Sequence, residues 1–385
     1  MEETLRKKGI CMGFLSSLVK QCPMEKMTTM ELGGNAQFLL EATDESMVTS
    51  ALSWAITRGL STTILGGGSN VIVSDRGISG LLLCMRQRGI SMKKEGARML
   101  VTAMAGQPWD DVVTFSIHHE LAGLECLSGI PGSVGATPIQ NVGAYGQEVA
   151  DTIKEIRVLD RETLSVFSIT KEDCNFGYRT SLFKKFPWKY VILSVTFSLK
   201  PQGVPTLKYP ELERALTLKK HPKTLAGVRD MVLDLRRQKS VVIDPNDENR
   251  RSVGSFFLNP ILPKEKVALL SQVALSQNII KQAEEIPKYP AGEHHLKLSA
   301  AWLIEQSGLR KGQSFGSFGI SSKHSLCLVH KGNGTSADLL KTVRYIQQTV
   351  KDHFHIWLHP EPQFLGFSKA ELKDLHTDTE PSTEL

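Results

Sequence analysis

TTILGGGSNVIVS, residues 62–74, sets three glycines between two short β-branched runs, Thr62–Leu65 and Val71–Ser74. Runs of that kind read as strands, so the glycine turn joins strand to strand. That context argues against the dinucleotide fingerprint of doubly wound folds, which needs a helix N-terminus after its glycines to receive a pyrophosphate. By itself the stretch reads as a bare turn. Around it, Glu31–Ala42 is strand-like, Ser46–Arg58 helical and Gly80–Met85 another apolar strand. Strands interleaved with a helix indicate an α/β unit.

A second stretch changes the balance. Residues 126–147, CLSGIPGSVGATPIQNVGAYGQ, contain no charge but hold Gly129, Gly132, Gly135, Gly143 and Gly146 with Pro131 and Pro138. A loop this long and apolar does not lie idle on a surface. Glycines let backbone N–H groups approach a ligand, and a run of them binds phosphate oxygens without lysine or arginine. The competing reading is a buried packing loop between sheets. Two such stretches, each flanked by strands, favour a cofactor cradle.

Farther on, strands are expected at Ile153–Asp160, Tyr190–Leu199 and Leu326–His330, with short ones at Phe354–Leu358 and Phe364–Leu365. Helical spacing marks Val112–His119, Thr224–Lys239 (Val228, Met231, Val232, Leu235), Lys266–Leu275, Ala300–Gln306 and Ser336–Val350 (Leu339, Leu340, Val343, Ile346). Residues 1–25 read as an extension, and the polar chain from Lys369 as a disordered tail.

A length of 385 residues suits two or three domains, and 41% hydrophobic with 22% charged residues is globular composition. The excess of 46 basic over 40 acidic residues is mild and dispersed. It suits an anionic small molecule better than a nucleic-acid groove. Six scattered cysteines form no C-x-x-C pair, and no run approaches the ~18 apolar residues of a membrane span. These features read as a cytoplasmic protein with reduced thiols. The pairs His118-His119 and His294-His295 diverge on any regular element; His353, His355 and His359 alternate around an expected strand without a completing cysteine or carboxylate. No metal site is expected. Asn333-Gly334-Thr335 reads as a turn.

Several segments, in order, resemble the UDP-N-acetylenolpyruvoylglucosamine reductase family. They are Gly66–Asn70, Ile130–Gly135, Pro138–Gly146, Phe176–Ser181, Gly254–Pro260 and His359–Glu361. The resemblance runs from about Met24 to Gly366. It implies an α+β fold: a two-part FAD-binding unit of the vanillyl-alcohol-oxidase type plus a C-terminal α/β substrate domain. The implied divisions are an extension (1–23), FAD-binding parts at 24–86 (completed by about 354–368) and 87–245, a substrate domain (246–353) and a tail (369–385). The implied reaction is NADPH-dependent, FAD-mediated reduction of a UDP-linked enolpyruvyl sugar in peptidoglycan precursor synthesis. The implied enzyme is a monomer without nucleic-acid or membrane partners.

By the same resemblance, FAD is held by Gly66, Gly67, Gly68, Ser69, Asn70, Gly132, Ser133, Thr137, Ile139, Gly143 and Tyr145. The substrate is held by Tyr209, Lys239, Asn259 and Gln306, with Tyr209 in the mobile loop of one branch of the family. The implied catalytic residues are Arg179, Ser255 and Glu361. Hydride delivery to a vinyl carbon builds negative charge that delocalises into the neighbouring carboxylate, where a fixed cation stabilises it. The always-charged fork of Arg179 suits that task. Glu361 helps only when protonated, which requires a desolvated carboxyl. Ser255 donates a proton to a carbon basic enough to take it. Each has a plain competitor: Arg179 as a surface ion-pair residue, Ser255 as a turn cap before Phe256-Phe257, Glu361 as a strand-end charge, and Lys239 as part of a solvated basic face with Arg236-Arg237.

Two departures from the family pattern are Gln363, where arginine is common, and Ala136-Thr137, where two serines are common. Both concern flavin contacts. The competing functions are a flavin oxidase of the same cofactor fold, disfavoured by glycine loops lacking a flavin-linking His or Cys, and a silent nucleotide-sugar-binding protein, disfavoured by Arg179, Ser255 and Glu361 occurring together.

Overall fold

The computed structural model describes residues 12–276 and 278–375. The expected extension before Met12 and the expected tail beyond Leu375 lie outside the described residues. By internal contacts the chain forms two compact units. The first holds the chain up to Cys22, Ala36–Gly68 and Ile78–Gln238; the second holds Pro23–Asn35, Ser69–Gly77 and the chain from Lys239 on.

The first unit opens with a 3-10 turn at Met12–Ser17 whose Phe14 is buried. Residues from Met12 on, within the expected extension, thus pack into this unit, with Phe14 edge-on against Trp54. Strands β1 (Val19–Pro23) and β2 (Asn35–Ala42) precede helix α1 (Glu45–Thr57), capped by Asp44, which accepts from Met47 N at 2.8 Å. Next come β3 (Thr62–Leu65), β4 (Val71–Val73, in the second unit) and β5 (Ile78–Met85). The sheet order is β1-β2-β5-β3, with β2 and β3 parallel to β5. All of β5 except Ser79 is buried, the continuous apolar run that a parallel strand covered on both faces requires.

The second sheet of this unit is antiparallel. Its elements are β6 (Ile90–Glu95), β7 (Arg98–Met104), α2 (Trp109–His118), β8 (Leu121–Ala122), the short pair β9 (Gly143–Ala144) and β10 (Gln147–Glu148), β11 (Ile153–Asp160), β12 (Val166–Thr170), α3 (Leu182–Lys185) and β13 (Tyr190–Pro201). The order is β12-β11-β13-β7-β6, with β8 pairing the end of β13. Trp109 is fully buried; it faces Phe197 of β13 at 5.7 Å and donates Nε1–H to Leu127 O at 3.0 Å. Helices α4 (Pro210–Leu218) and α5 (Leu225–Gln238) follow. The expected stripe Val228, Met231, Val232 and Leu235 is buried with Leu212, Leu216 and Cys126. Arg229 on α5 grips both carboxylate oxygens of Asp110 at 2.7 and 2.6 Å.

In the second unit, β14 (Ile261–Pro263), α6 (Lys264–Ser276), β15 (Lys288–Pro290) and β16 (His295–Leu298) build a three-stranded sheet with a covering helix. Helix α7 (Ala300–Gln306), strands β17 (Ser314–Phe315), β18 (Phe318–Ile320) and β19 (Leu328–His330), and helix α8 (Ser336–Phe354) complete its core. Thr335 and Asp338 form a capping box at the start of α8. Strand β20 (Gln363–Leu365) runs parallel to β4.

Three expectations are corrected. Residues Phe354–Leu358 form no strand: α8 runs to Phe354 and ends on His355 in the left-handed conformation (φ 55°). His353 is therefore helical and does not alternate with His355 and His359 along a strand. At the other end, Lys369–Leu372 is a short helix α9 closed by a Ser368–Glu371 capping box, and Leu375 is buried, so this part of the tail is packed.

Trp109→Ala is expected to lower the unfolding free energy by about 3–5 kcal/mol. Trp109→Phe, which leaves Leu127 O without its donor, costs about 1–2 kcal/mol. Urea unfolding followed by circular dichroism reads both; a cost below that of the Phe variant for the Ala variant would show that Trp109 does not anchor this core.

Candidate functional site

The two glycine stretches meet backbone to backbone in the first unit. A Cβ on Gly67 would stand 2.7 Å from Gly132 Cα, and one on Gly66 2.5 Å from Ser133 Oγ. Backbone cannot yield as a flexible side chain does, so Gly67 has no substitute. The second stretch is pinned from behind by the chain entering α2: Trp109 N donates to Gly132 O (3.0 Å), Val134 N to Gln107 O (2.9 Å) and Gly135 N to Ala105 O (2.9 Å). Gly129 N donates to Asp110 at 2.7 Å. Burial alone would raise the Asp110 carboxyl's pKa, but the Arg229 fork and the Gly129 N–H outweigh it and hold it below its ordinary value.

Ser133 Oγ is buried at this seam and, among the described residues, has no hydrogen-bond partner. A buried hydroxyl without a partner is costly, and a ligand presenting acceptor oxygens would satisfy it. Thr137 is buried too, but its hydroxyl donates to Val134 O at 2.8 Å, so its proton is committed to the loop's own turn. Ala136 Cβ faces Gly66, 3.4 Å from where a Cβ would stand there. Ser69 and Asn70 belong to the second unit, where Asn70 O accepts from Gln363 N at 3.0 Å.

Arg179 sits in a tight turn. Gly177 N donates to Thr180 O (3.1 Å) and Thr180 N to Gly177 O (3.3 Å), and Arg179 itself has φ +53°. That conformation costs a side-chain-bearing residue roughly 1–2 kcal/mol. Its guanidinium donates to Gly143 O at 2.8 Å and lies over the Tyr178 ring at 5.5 Å. Ile139 O accepts from Ser181 Oγ (2.6 Å), so the turn and the second glycine stretch are joined at two places. Gly143 is wedged: a Cβ there would lie 2.7 Å from Glu148 Cγ and 3.3 Å from Arg179 Nη1.

Tyr145 (φ +49°) packs edge-on against Tyr209 at 5.6 Å, and burial pushes its phenol up to about 12. Tyr209 precedes Pro210, the first residue of α4. Glu125, which sequence reasoning did not single out, is buried and accepts from Gly123 N (2.8 Å), Thr206 N (2.8 Å) and Gln147 Nε2 (3.2 Å). It ties the second stretch to the chain leading to Tyr209. Its signal was available: it is the last charge before a long uncharged run.

In the second unit, Ser255 and Glu361 come together along one backbone seam. Residues 255–258 lie between two neighbours: Ser255 bridges Cys327, and Phe257 bridges Pro360. Phe256 N donates to Leu326 O (2.7 Å), Leu258 N to His359 O (2.9 Å), and Glu361 N to Phe256 O (2.8 Å). The fully buried rings of Phe256 and Phe257, 5.3 Å apart, fix this segment in the core and leave Ser255 half-buried at its end. Asn259 Oδ1 accepts from Ala300 N at 2.9 Å at the start of α7, so donation is the role left to its amide. Gln306, half-buried, closes the same helix, and Lys239 follows α5. Among the described residues no group of three or more His, Cys, Asp or Glu is placed to hold a metal ion.

Comparison with known proteins bears on both units. The profile described as the UDP-N-acetylenolpyruvoylglucosamine reductase C-terminal domain matches residues 244–365, and one described as an FAD binding domain matches 36–164. The chain is similar to the UDP-N-acetylenolpyruvoylglucosamine reductase of Streptomyces avermitilis, 42% identical over 89% of this chain and 94% of that protein. The same-named protein of Thermobifida fusca is 38% identical over 91% and 99%. Among solved structures, the reductase from Thermus caldophilus superposes with a TM-score of 0.59 at 22% identity, covering 90% of this chain and 98% of that one, a likeness of fold.

Gly67→Ala is expected to weaken FAD binding at least tenfold, because the added methyl displaces Gly132. Gly59→Asn, at an open left-handed position (φ +62°, nothing within 4 Å), should leave it unchanged. Flavin absorbance per protein after purification, with titration of added FAD, checks both; a yellow, tightly loaded Gly67→Ala protein would show that the seam is not where the cofactor binds.

Proposed function

Since the chain belongs to the UDP-N-acetylenolpyruvoylglucosamine reductase family, we propose how its own residues divide the chemistry of that reaction. The enzyme is an oxidoreductase that reduces UDP-N-acetyl-3-O-(1-carboxyvinyl)-glucosamine to UDP-N-acetylmuramate, a step in peptidoglycan precursor synthesis, using FAD and NADPH. Its fold is α+β, an FAD-binding domain joined to the family's C-terminal domain.

Residues 24–86 and 87–245 act as the two parts of the FAD-binding module, completed by 354–368, and residues 246–353 as the substrate domain. The glycine seam and the partnerless hydroxyl of Ser133 fit a diphosphate, which brings acceptor oxygens and needs close backbone approach. Gly66–Asn70, Gly132, Ser133, Ile139, Gly143 and Tyr145 hold the FAD, with Thr137 contributing contact but not its proton. When bound there, FAD would supply the hydride chemistry, relaying the reducing equivalent of NADPH to the vinyl group of the substrate.

Arg179 grips the substrate carboxylate and stabilises the negative charge that grows there. Glu361 serves the same group as a hydrogen-bond donor only when protonated. Ser255 Oγ gives its proton to the carbon beside the carboxylate and recovers one from water, which balances the reduction. Tyr209, Lys239, Asn259 and Gln306 serve the nucleotide end, where a pyrophosphate calls for donors and positive charge. Among the described residues no helix is long and apolar enough to cross a membrane. A charged nucleotide-sugar substrate and free cysteines support a cytoplasmic enzyme, which we take to act as a monomer without nucleic-acid partners.

The observation that carries the assignment is the seam at Phe256, whose carbonyl receives Glu361 N while Ser255 stands one residue earlier. Two groups distant in sequence but expected to serve one reaction are neighbours in the fold. In stopped-flow absorbance, Ser255→Ala should be reduced by NADPH at the wild-type rate and reoxidised by the enolpyruvyl nucleotide at least a hundredfold more slowly. Wild-type rates in both halves would remove Ser255 as proton donor.

A further inference from the structure

We propose that Asn141, held by Glu148, is a positioning residue for Arg179. The proposal rests on the reading of Arg179 given above and extends it to two residues with no assigned part in the reaction. Asn141 is buried, and its side-chain amide is used on both sides. Nδ2 donates to Glu148 Oε2 at 2.7 Å and to Gly177 O at 3.1 Å, while Oδ1 accepts from Ala150 N at 3.1 Å. Gly177 O is the carbonyl that also closes the Arg179 turn. Asn141 therefore grips the turn at its first residue, 36 positions away in sequence.

The same stretch grips the other end of the side chain. Arg179 donates to Gly143 O at 2.8 Å and makes a long contact of 3.5 Å with Asn141 O. Asn141 itself has φ +45°, a conformation that asparagine tolerates better than most side-chain-bearing residues. Lys184 Nζ donates to Arg179 O at 3.1 Å and supports the turn from its far side. A planar guanidinium must present a defined edge to a carboxylate. Here its direction depends on two backbone carbonyls, and its base on a turn whose strained residue would relax without these supports. Glu148 Cγ lies against Gly143 beside Arg179 Nη1; its bond to Asn141 keeps that carboxylate engaged next to the guanidinium.

The test is a double-mutant cycle on the FAD-loaded enzyme, with both half-reactions followed by stopped-flow absorbance. Asn141→Ala should slow reoxidation by the enolpyruvyl nucleotide at least tenfold while flavin reduction by NADPH stays within twofold. In an Arg179→Lys background, adding Asn141→Ala should change reoxidation by less than twofold, because the interaction it supports is already lost. Losses that multiply, or that strike both half-reactions equally, overturn the positioning role. Normal reoxidation in Arg179→Lys alone overturns instead the reading of Arg179 on which the proposal stands. Should Asn141→Ala fail to fold with FAD, Glu148 decides. Glu148→Gln keeps an acceptor for Asn141 and should remain within threefold of wild type, whereas Glu148→Ala should lose at least tenfold in reoxidation only; equal behaviour of these two variants overturns the proposal.

Discussion

The cofactor cradle proposed for the first unit depends on one steric constraint: the main chains at Gly67 and Gly132 lie too close for a side chain on Gly67. Such proximity lets backbone N–H groups reach a ligand, since side chains at the seam would hold them apart. It also demands a rigid support, and the entry to α2 supplies one. Residues 105–109 receive or donate three backbone hydrogen bonds to Gly132, Val134 and Gly135, and Trp109 fastens that entry to β13 through Phe197. The cradle is thereby mounted on the antiparallel sheet.

The region around Arg179 shows the complementary device, with conformational strain held by hydrogen bonds. Asn141, Tyr145 and Arg179 all have positive φ, and each falls within the second glycine stretch or the turn bonded to it. One such residue can be incidental to a tight turn. Three in one bonded network mean that the backbone path is set by requirements other than local comfort. The bond from Arg179 to Gly143 O and that from Ser181 to Ile139 O are what make the path single-valued.

Periodicity was the most legible feature of the sequence. The stripes on α5 and α8 are buried as their spacing requires, and the strands at 62–65 and 153–160 span the residues expected of them. Helix ends were harder to read. α8 passes beyond Val350 because Lys351–Phe354 continues its apolar face with Phe354, and it stops at His355, a residue type that carries no strong stop signal. The packing of Lys369–Leu375 uses one fully buried leucine in a polar stretch and donors from Arg344 and Gln347 to its carbonyls, which composition averages away. At the candidate site, the glycines and the residues of the ordered segments could be picked out by type. The Asn141 clamp could not, because its partners lie seven to 36 residues away, and nothing in an Asn-Val-Gly triplet names them.

The absence of charge from residues 126–147 acquires a physical explanation once its surroundings are seen. Besides its backbone bonds to residues 105–109, the stretch is anchored by carboxylates that lie outside it. Asp110 takes Gly129 N, Glu125 takes Gln147 Nε2, and Glu148 takes Asn141 Nδ2. Each of these acids has a donor on the stretch, and Asp110 is also neutralised by Arg229. Had the anchors been carried within the stretch itself, their negative charge would stand beside any phosphate bound there and repel it at low dielectric. Placing them at its margins turns the acids into fasteners for the loop while its interior presents backbone dipoles, hydroxyls and amides, none of them charged. Neutrality within and acidity at the edges thus suits the role proposed for it, a rigid loop that receives an anion.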